Sequence, residues 1–285
     1  MTNIGAMLRR DLPPESLIET ATAIAPTLDE LWIVEDLDWP GGVAQLAAVL
    51  EATTATGPVI GHGVAPAPFR NPAALAMEWA TLARMYPGRL HAGIGHGVPS
   101  WMSRIGRPVG SPLTLLRETI EAVRLILRGG PVTYEGRYVH LRDIDLVFAP
   151  EVIPPVLAGV TGPRSLELSG AIADGTVLSE GHDVGQVRDA KARIATGQAH
   201  DGAPTPHRFT LYVGYYLGDL AKLPPPPTDG PEGGWAAVTD DPDEMVEQLQ
   251  GVVDIGVDAM ILVPFGETIE QLARFDRDVR PRLRI

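Results

Sequence analysis

The strongest constraint on this chain is an alternation of short apolar runs with amphipathic helical segments, which is repeated eight times. The first unit shows the pattern, because residues 4–7 form an apolar run and Leu17, Ala21 and Ile24 follow at the spacing of a helix face. The eight apolar runs begin near residues 4, 31, 58, 90, 156, 176, 209 and 259. Eight strand–helix units predict a parallel sheet that is buried on both faces.

Chain length decides between two ways of arranging these units. In 285 residues with 45% apolar content, eight units close most easily into one (β/α)8 TIM barrel, a single domain spanning residues 1–285. A doubly wound open sheet is the alternative. We expect loop insertions after strands 4 and 7, the second of them a proline- and glycine-rich lid in residues 218–240 with Trp235 shielding the site. In a TIM barrel, functional groups come from the carboxyl ends of the strands.

Composition excludes several classes of function. The chain has no cysteine, so disulfides and thiolate catalysis are excluded. The histidines and carboxylates lack the spacing of metal ligands, so we expect no metal site. A net charge of −13 disfavours nucleic acid as a partner. No apolar stretch reaches the roughly 18 residues of a membrane helix, and no leader is visible, which predicts a cytoplasmic protein without a membrane partner.

The clearest candidate site lies in residues 155–179. An apolar run ends at Ala158, a turn of small residues follows, and Pro163 stands at the first position of a helix. A helix that begins this way presents four free N–H groups and the positive end of its dipole. We therefore expect this turn to bind a phosphate group, although the small residues would also be needed simply to form a tight turn.

Glycines recur at the ends of three successive strands. They are Gly61 and Gly63, then Gly93, Gly95 and Gly97, then Gly159 and Gly162. Without side chains at these positions, a flat ligand can approach the backbone directly. The pattern predicts a floor for a planar aromatic cofactor whose phosphate ends at the fifth helix.

Four motifs, in this order, resemble the luciferase-like flavin and deazaflavin oxidoreductases, a family of (β/α)8 barrels. They are residues 61–72 (GHGVAPAPFRNP), 93–97 (GIGHG), 111–118 (SPLTLLRE) and 158–165 (AGVTGPRS) leading to 173–175 (ADG). The short chain and the Thr161-Gly162-Pro163 turn look more like the branch that uses coenzyme F420, an 8-hydroxy-5-deazaflavin. The resemblance implies hydride transfer between F420 and a small organic substrate.

The resemblance also implies roles for individual positions. Gly63 and Val64 would form a bulge with a cis peptide bond that supports the back of the cofactor ring, and Asp36 would lie near the edge of the ring. The residues expected beside the ring are Gly95, His96 and Gly97. Those expected around the phosphate are Ala158, Gly159, Val160, Thr161, Gly162 and Pro163.

Four side chains are candidates for the acid or base: Asp36, His62, His96 and Glu180. Each also has a structural explanation. The histidines would be ordinary hydrogen-bonded side chains, Asp36 would cap the second helix, and Glu180 would be an exposed loop residue without a role.

Other functions stay open at this point. An FMN-dependent monooxygenase would use oxygen and reduced flavin from a partner reductase, and a non-catalytic barrel would only bind a flavin. Sugar-phosphate dehydrogenases of this family have histidine after the aspartate that follows strand two, whereas Leu37 follows Asp36 here, which argues against a sugar phosphate substrate. The resemblance also implies a homodimer.

Overall fold

Eleven strands and nine helices form the described part of the chain. The computed structural model describes residues 1–53, 57–225 and 235–285. The strands are β1 (Asn3–Leu8), β2 (Glu30–Ile33), β3 (Val59–Pro66), β4 (Leu90–Gly95), β5 (Val132–Glu135), β6 (His140–Ile144), β7 (Val156–Gly159), β8 (Gly175–Leu178), β9 (Arg208–Leu217), β10 (Ala237–Thr239) and β11 (Ala259–Pro264). The helices are α1 (Leu17–Ile24), α2 (Gly42–Ala52), α3 (Pro72–Met85), α4 (Pro99–Arg104), α5 (Pro112–Leu127), α6 (Pro163–Ile172), α7 (Val184–Gln198), α8 (Pro242–Val253) and α9 (Thr268–Arg274).

Eight of the strands close into a parallel barrel. Their order around the barrel is β1, β2, β3, β4, β7, β8, β9 and β11, and β11 pairs with β1 again. The pairing of β8 with β9, in which Val177 lies opposite Thr210, joins what would otherwise be two free edges. The predicted TIM barrel is therefore confirmed, and the open doubly wound sheet is wrong.

Both predicted insertions are present. The loop after β4 contains α4, and a hairpin of β5 and β6 follows α5. The loop after β9 contains β10, which lies beside β9. Part of the expected lid, residues 226–234 with two prolines of the run and its glycines, lies outside the described residues. Trp235 is described, and its N–H donates to the carbonyl of Gly181 (3.2 Å).

Side chains of the barrel strands divide into two apolar groups because successive residues of a strand point to opposite faces. The outward group packs under the helices and includes Ile4, Leu31 and Ile60. The inward group fills the barrel and consists of Trp32, Leu157, Val177, Tyr212, Ala259, Ile261 and Val263, with Met7, Val34 and Val64 packed against them. The barrel interior is thus a packed core, and a ligand has access to it only at an end.

A buried carboxylate lies at the amino-terminal end of the barrel interior. Glu30 accepts hydrogen bonds from Trp32 Nε1 (2.9 Å) and Asn3 Nδ2 (2.9 Å), and it forms an ion pair with Arg208. Burial opposes ionisation of Glu30, but its contacts with His91 and Arg208 outweigh that effect and lower its pKa to about 2. This cluster anchors the base of the inward core.

Candidate active site

The side chain of Val64 forms the floor of the barrel mouth, the end at which the eight strands finish. The peptide bond between Gly63 and Val64 is cis, as the resemblance implies. The pairing of β3 with β4 shifts register between His62 and Ala65, and Val64 belongs to the inward apolar group. Val64 is only partly buried, so its methyl groups present an apolar surface to the mouth.

The glycines at the strand ends make room for Val64. A β-carbon at Gly95 would lie 2.5 Å from Val64 Cγ2, and one at Gly159 would lie 2.6 Å from Cγ1. One at Gly93 would lie 2.8 Å from Val64 Cγ1 and closer still, 2.3 Å, to the carbonyl oxygen of His62. No real β-carbon tolerates such contacts. The expected floor of bare backbone is therefore corrected: the glycines surround an inserted valine, and a flat ligand would rest on that side chain.

The start of α6 presents a partly open set of backbone donors. Residues 161–164 are exposed, and Gly162 is the N-cap. The N–H groups of Ser165 (3.0 Å) and Leu166 (2.9 Å) donate to the carbonyl of Gly162, and proline has none. Of the four expected donors, residues 162–165, the described structure leaves those of Gly162 and Arg164 without a backbone acceptor, and the N–H of Thr161, just before the helix, is a third. Three donors at the positive end of a ten-residue helix still suit a phosphate group.

His96 connects the loop after β4 to the first turn of α6. Its Nε2 lies 2.9 Å from Ser165 Oγ. Burial lowers the pKa of His96, which favours the neutral imidazole. The side chain is therefore held beside the first turn of α6. Gly97, the next residue, has a φ of +72°, a left-handed conformation that favours glycine.

His62 does not reach the mouth. Its neighbours Gly61 and Gly63 face inward, where Trp32 and Tyr212 occupy the space of any β-carbon, so His62 points outward under the helices. It is fully buried, packs edge-on against Trp79 and lies 3.6 Å from Glu35. Burial lowers its pKa to about 4. The expectation that His62 exchanges protons at the mouth is therefore corrected.

Asp36 lies at the mouth in an ion pair. Its carboxylate accepts a hydrogen bond from Arg10 Nη1 (2.7 Å), and the guanidinium of Arg10 stacks over Trp39 at 5.1 Å from the ring centroid. The N-cap of α2 is Gly41, so the alternative that Asp36 caps this helix is wrong. Arg10 was not predicted from the sequence, although it lies two residues after the end of β1, and strand ends are where a TIM barrel places its functional groups.

Glu180 follows β8 and faces the same side of the mouth. It lies near the charges of Asp36, Arg10 and His182, and burial, followed by the charge of Asp36, raises its pKa. Burial raises the pKa of the Tyr212 hydroxyl on β9, and the nearby charge of Glu180 raises it further. The hydroxyl of Tyr212 lies 3.5 Å from the carbonyl oxygen of Gly63. Tyr212 was not predicted as a site residue, although the alternation of side chains along β9 places it inside the barrel.

A cavity of about 570 Å³ opens at the opposite, amino-terminal end of the barrel. Two of its three arginines are already paired, Arg124 with Asp174 at 2.6 Å and Arg208 with Glu30. Sites of TIM barrels lie at the carboxyl ends of the strands. We therefore place the candidate active site at the mouth.

In residues 1–53, 57–225 and 235–285, no group of three or more histidine or carboxylate side chains is arranged to hold a metal ion. Within the same residues, no helix combines the length and apolar character needed to cross a bilayer.

Comparisons with known proteins agree with this architecture. The profile of the luciferase-like monooxygenase family matches residues 2–222. The F420-dependent glucose-6-phosphate dehydrogenase of Microbacterium testaceum (strain StLB037) is 27% identical over 264 aligned residues, which cover 79% of this chain and 78% of that protein.

Two solved structures share the fold over nearly their whole length. An F420-dependent secondary alcohol dehydrogenase in complex with an F420-acetone adduct has a TM-score of 0.85 at 19% identity, with 100% of both chains covered. The oxygenating constituent of 3,6-diketocamphane monooxygenase from Pseudomonas putida, in complex with FMN, has a TM-score of 0.78 at 15% identity, with 99% of this chain and 98% of that chain covered.

Proposed function

This chain belongs to the luciferase-like monooxygenase family, and from that premise we propose that it is an oxidoreductase that transfers a hydride between coenzyme F420 and a small organic substrate. The mouth of the barrel would hold the cofactor ring on Val64. The start of α6 would hold its phosphate.

The observation that carries this proposal is the way two strands, β4 and β7, accommodate Val64. Glycines at positions 93, 95 and 159 leave space for one side chain, which then offers an apolar surface to the mouth. A flat ring system gains from contact with such a surface because apolar area leaves water. The exposed donors at residues 161–164 supply the second contact that a phosphate-bearing cofactor needs.

When bound, F420 supplies a carbon centre that exchanges a hydride and reacts poorly with oxygen. The chain itself contributes positioning and the exclusion of water. Val64 would fix the height of the ring, and His96 would hold the loop after β4 against Ser165. The stacked pair of Arg10 and Asp36, with Trp39, would form one polar wall beside the ring.

Names of relatives favour F420 over FMN. The dehydrogenase of Microbacterium testaceum is named as F420-dependent, and this relative is more similar in sequence than the FMN-bound monooxygenase. FMN stays the alternative cofactor because it has a similar ring and phosphate, and a monooxygenase would also need a partner reductase. The homodimer and the cytoplasmic location stay predictions.

The substrate is proposed only by class. The relative from Microbacterium testaceum is named for glucose 6-phosphate. This chain has Leu37 directly after Asp36, where the sugar-phosphate branch of the family has histidine. We therefore propose a small organic substrate other than a sugar phosphate.

The proposal is tested by titrating the purified protein with oxidised F420 and, separately, with FMN, using isothermal calorimetry. We expect saturable binding of one cofactor per chain, with F420 bound more tightly. Inorganic phosphate should compete with the bound cofactor. Tighter binding of FMN would show that FMN, and not F420, is the cofactor. Absence of binding by either cofactor would refute the proposal.

A further inference from the structure

We infer that Glu180 is the residue that exchanges a proton with the substrate at the barrel mouth. The inference rests on the proposed function, since it assumes that the substrate is held above a ring lying on Val64. It selects one residue among several acidic and basic side chains at the strand ends.

The position of Glu180 supports this role. The residue comes two positions after the end of β8, in a loop that is fixed on its other side by the hydrogen bond from Trp235 N to Gly181 O (3.2 Å). It lies near Tyr212, whose hydroxyl is 3.5 Å from the carbonyl oxygen of Gly63, the residue before Val64. Glu180 is therefore on the wall of the mouth that adjoins the floor.

The other candidate groups are either buried or paired. His62 is buried behind the barrel wall, His96 Nε2 is 2.9 Å from Ser165 Oγ, and Asp36 is 2.7 Å from Arg10. Within the described residues, the carboxyl of Glu180 forms no ion pair and no hydrogen bond with another residue. The unpartnered ring nitrogens of His62 and the Nδ1 of His96 are buried. Glu180, which is partly exposed, is thus the one of the four with an unpaired group that a substrate at the mouth can reach.

The electrostatic surroundings of Glu180 fit proton exchange near neutral pH. Charged and titratable groups face it from each neighbouring element: Arg10 after β1, Asp36 after β2, His182 after β8 and Tyr212 on β9. Burial and the charge of Asp36 raise the pKa of Glu180, while Arg10 and His182 oppose that shift. A carboxyl with a raised pKa is a better acid or base at neutral pH than an ordinary one.

The reaction step balances for a substrate whose reacting carbon bears a hydroxyl group. In the direction of oxidation, the alcohol would give up a hydride, with both bonding electrons, from its carbon to bound oxidised F420, which would supply the hydride acceptor. It loses the hydroxyl proton to the Glu180 carboxylate, and the carbon–oxygen single bond becomes a carbonyl. In the reverse direction the protonated Glu180 returns its proton to the carbonyl oxygen.

The test compares the wild type with Glu180→Gln, which keeps the shape of the side chain and removes its titration. Carbon-13 NMR of protein labelled at glutamate Cδ gives a readout that does not depend on activity. The resonance that is present in the wild type and missing in the variant is assigned to Glu180. In the wild type, we expect this resonance to titrate above the ordinary range of glutamate and to shift when oxidised F420 is added. Glu267→Gln, an exposed glutamate after β11, is the control and should leave that resonance unchanged.

Turnover is then measured with 2-propanol and, in reverse, with acetone. We expect Glu180→Gln to bind F420 with the affinity of the wild type. Its kcat should be about a hundredfold lower, and the ionisation step seen in the pH profile of wild-type kcat should be absent. A Glu180 resonance in the ordinary range, or a variant with wild-type kcat and pH profile, would overturn the inference.

The failures of the two proposals are distinguishable. A wild-type protein that binds no F420 refutes the proposed function itself. A wild-type protein that binds F420 but turns over neither 2-propanol nor acetone overturns only the role of Glu180 with a hydroxyl-bearing substrate.

Discussion

The side chain of Val64 occupies the space in which a β-carbon at Gly159 would lie, 2.6 Å from Cγ1 and 2.9 Å from Cγ2. The two residues belong to β3 and β7, which are not neighbours in the barrel because β4 lies between them. The contact therefore exists only because the sheet curves into a closed barrel. The position of the Val64 side chain at the mouth therefore depends on β7, the strand that leads to α6.

Gly159→Ala should weaken cofactor binding. The added methyl group would force Val64 to move, and overpacking of this kind costs about 1 to 3 kcal/mol. If Val64 supports the ring, the affinity for F420 should fall by about tenfold or more, since each 1.4 kcal/mol is a factor of ten. Calorimetric titration measures the change. Gly251→Ala is the control, because its β-carbon would meet Val184 at an ordinary 3.5 Å on a helix away from the mouth. Equal losses of F420 affinity in both variants would contradict the role of Val64.

Glu35→Gln should destabilise the fold. Glu35 is 5% exposed and accepts two hydrogen bonds from Arg70 (2.5 and 2.6 Å) and one from the N–H of Gly42 (3.1 Å). Arg70 is partly exposed and keeps its ion pair with Glu78 (3.2 Å), so the loss is that of the charge-assisted hydrogen bonds to Glu35, about 1.5 to 3 kcal/mol. Urea unfolding followed by tryptophan fluorescence gives the value. Asp38→Asn breaks the exposed pair with Arg104 and should cause no measurable loss.

His62 should make the protein sensitive to mild acid. Burial lowers its pKa from the ordinary 6.5 to about 4, so between these values the unfolded chain binds a proton that the folded chain does not. Stability contributed by neutral His62 is thus present above pH 6.5 and decreases as the pH falls towards 4, by at most about 1.4 kcal/mol per pH unit. Urea unfolding of His62→Phe from pH 7 to pH 4.5 should show a smaller slope than the wild type. His200→Phe, at an exposed position, should keep the wild-type slope; a wild-type slope in His62→Phe would refute the assignment.

Local pattern was enough to predict most of the barrel. Apolar runs located its eight strands, and Gly162-Pro163 located the start of α6. The strand β10 was not predicted, because a strand of three residues depends on the long β9 beside it more than on its own sequence. The short helix α4 was missed for a similar reason, since six largely exposed residues show no apolar period.

The site was predicted less completely because its contacts join distant strands. The glycines were recognised, but their partner Val64 was identified only through the family resemblance, and nothing local shows that it fills their space. The orientation of His62 was available from the sequence. Since Gly61 and Gly63 were assigned to the inner floor, strand alternation places the residue between them outside.

Arg164→Gln should weaken the hold on the cofactor phosphate without abolishing it. Arg164 is exposed in the first turn of α6, beside the donors of Thr161 and Gly162. A solvent-exposed charge at a helix start contributes about 1 kcal/mol to anion binding, or about fivefold in affinity, and salt screens it. Titration with F420 at two ionic strengths should show the loss at low salt and a smaller loss at high salt. Arg193→Gln on α7 changes the net charge equally and should have no effect; an equal effect would attribute the loss to net charge alone.

A double-mutant cycle between Val64 and Gly159 tests the floor of the mouth without any ligand. Val64→Ala removes both methyl groups that a β-carbon at position 159 would meet, and it should cost about 1 to 2 kcal/mol for the lost apolar contact. Gly159→Ala alone should destabilise through overpacking, whereas in the Val64→Ala background the new methyl group fills vacated space. The double variant should therefore be more stable than the sum of the two single losses predicts, by about 1 kcal/mol or more. Urea unfolding of the four proteins measures the coupling. Additive losses would mean that Gly159→Ala acts on the backbone of β7 and not on Val64, and the glycines would then have to be explained by direct contact with the ligand.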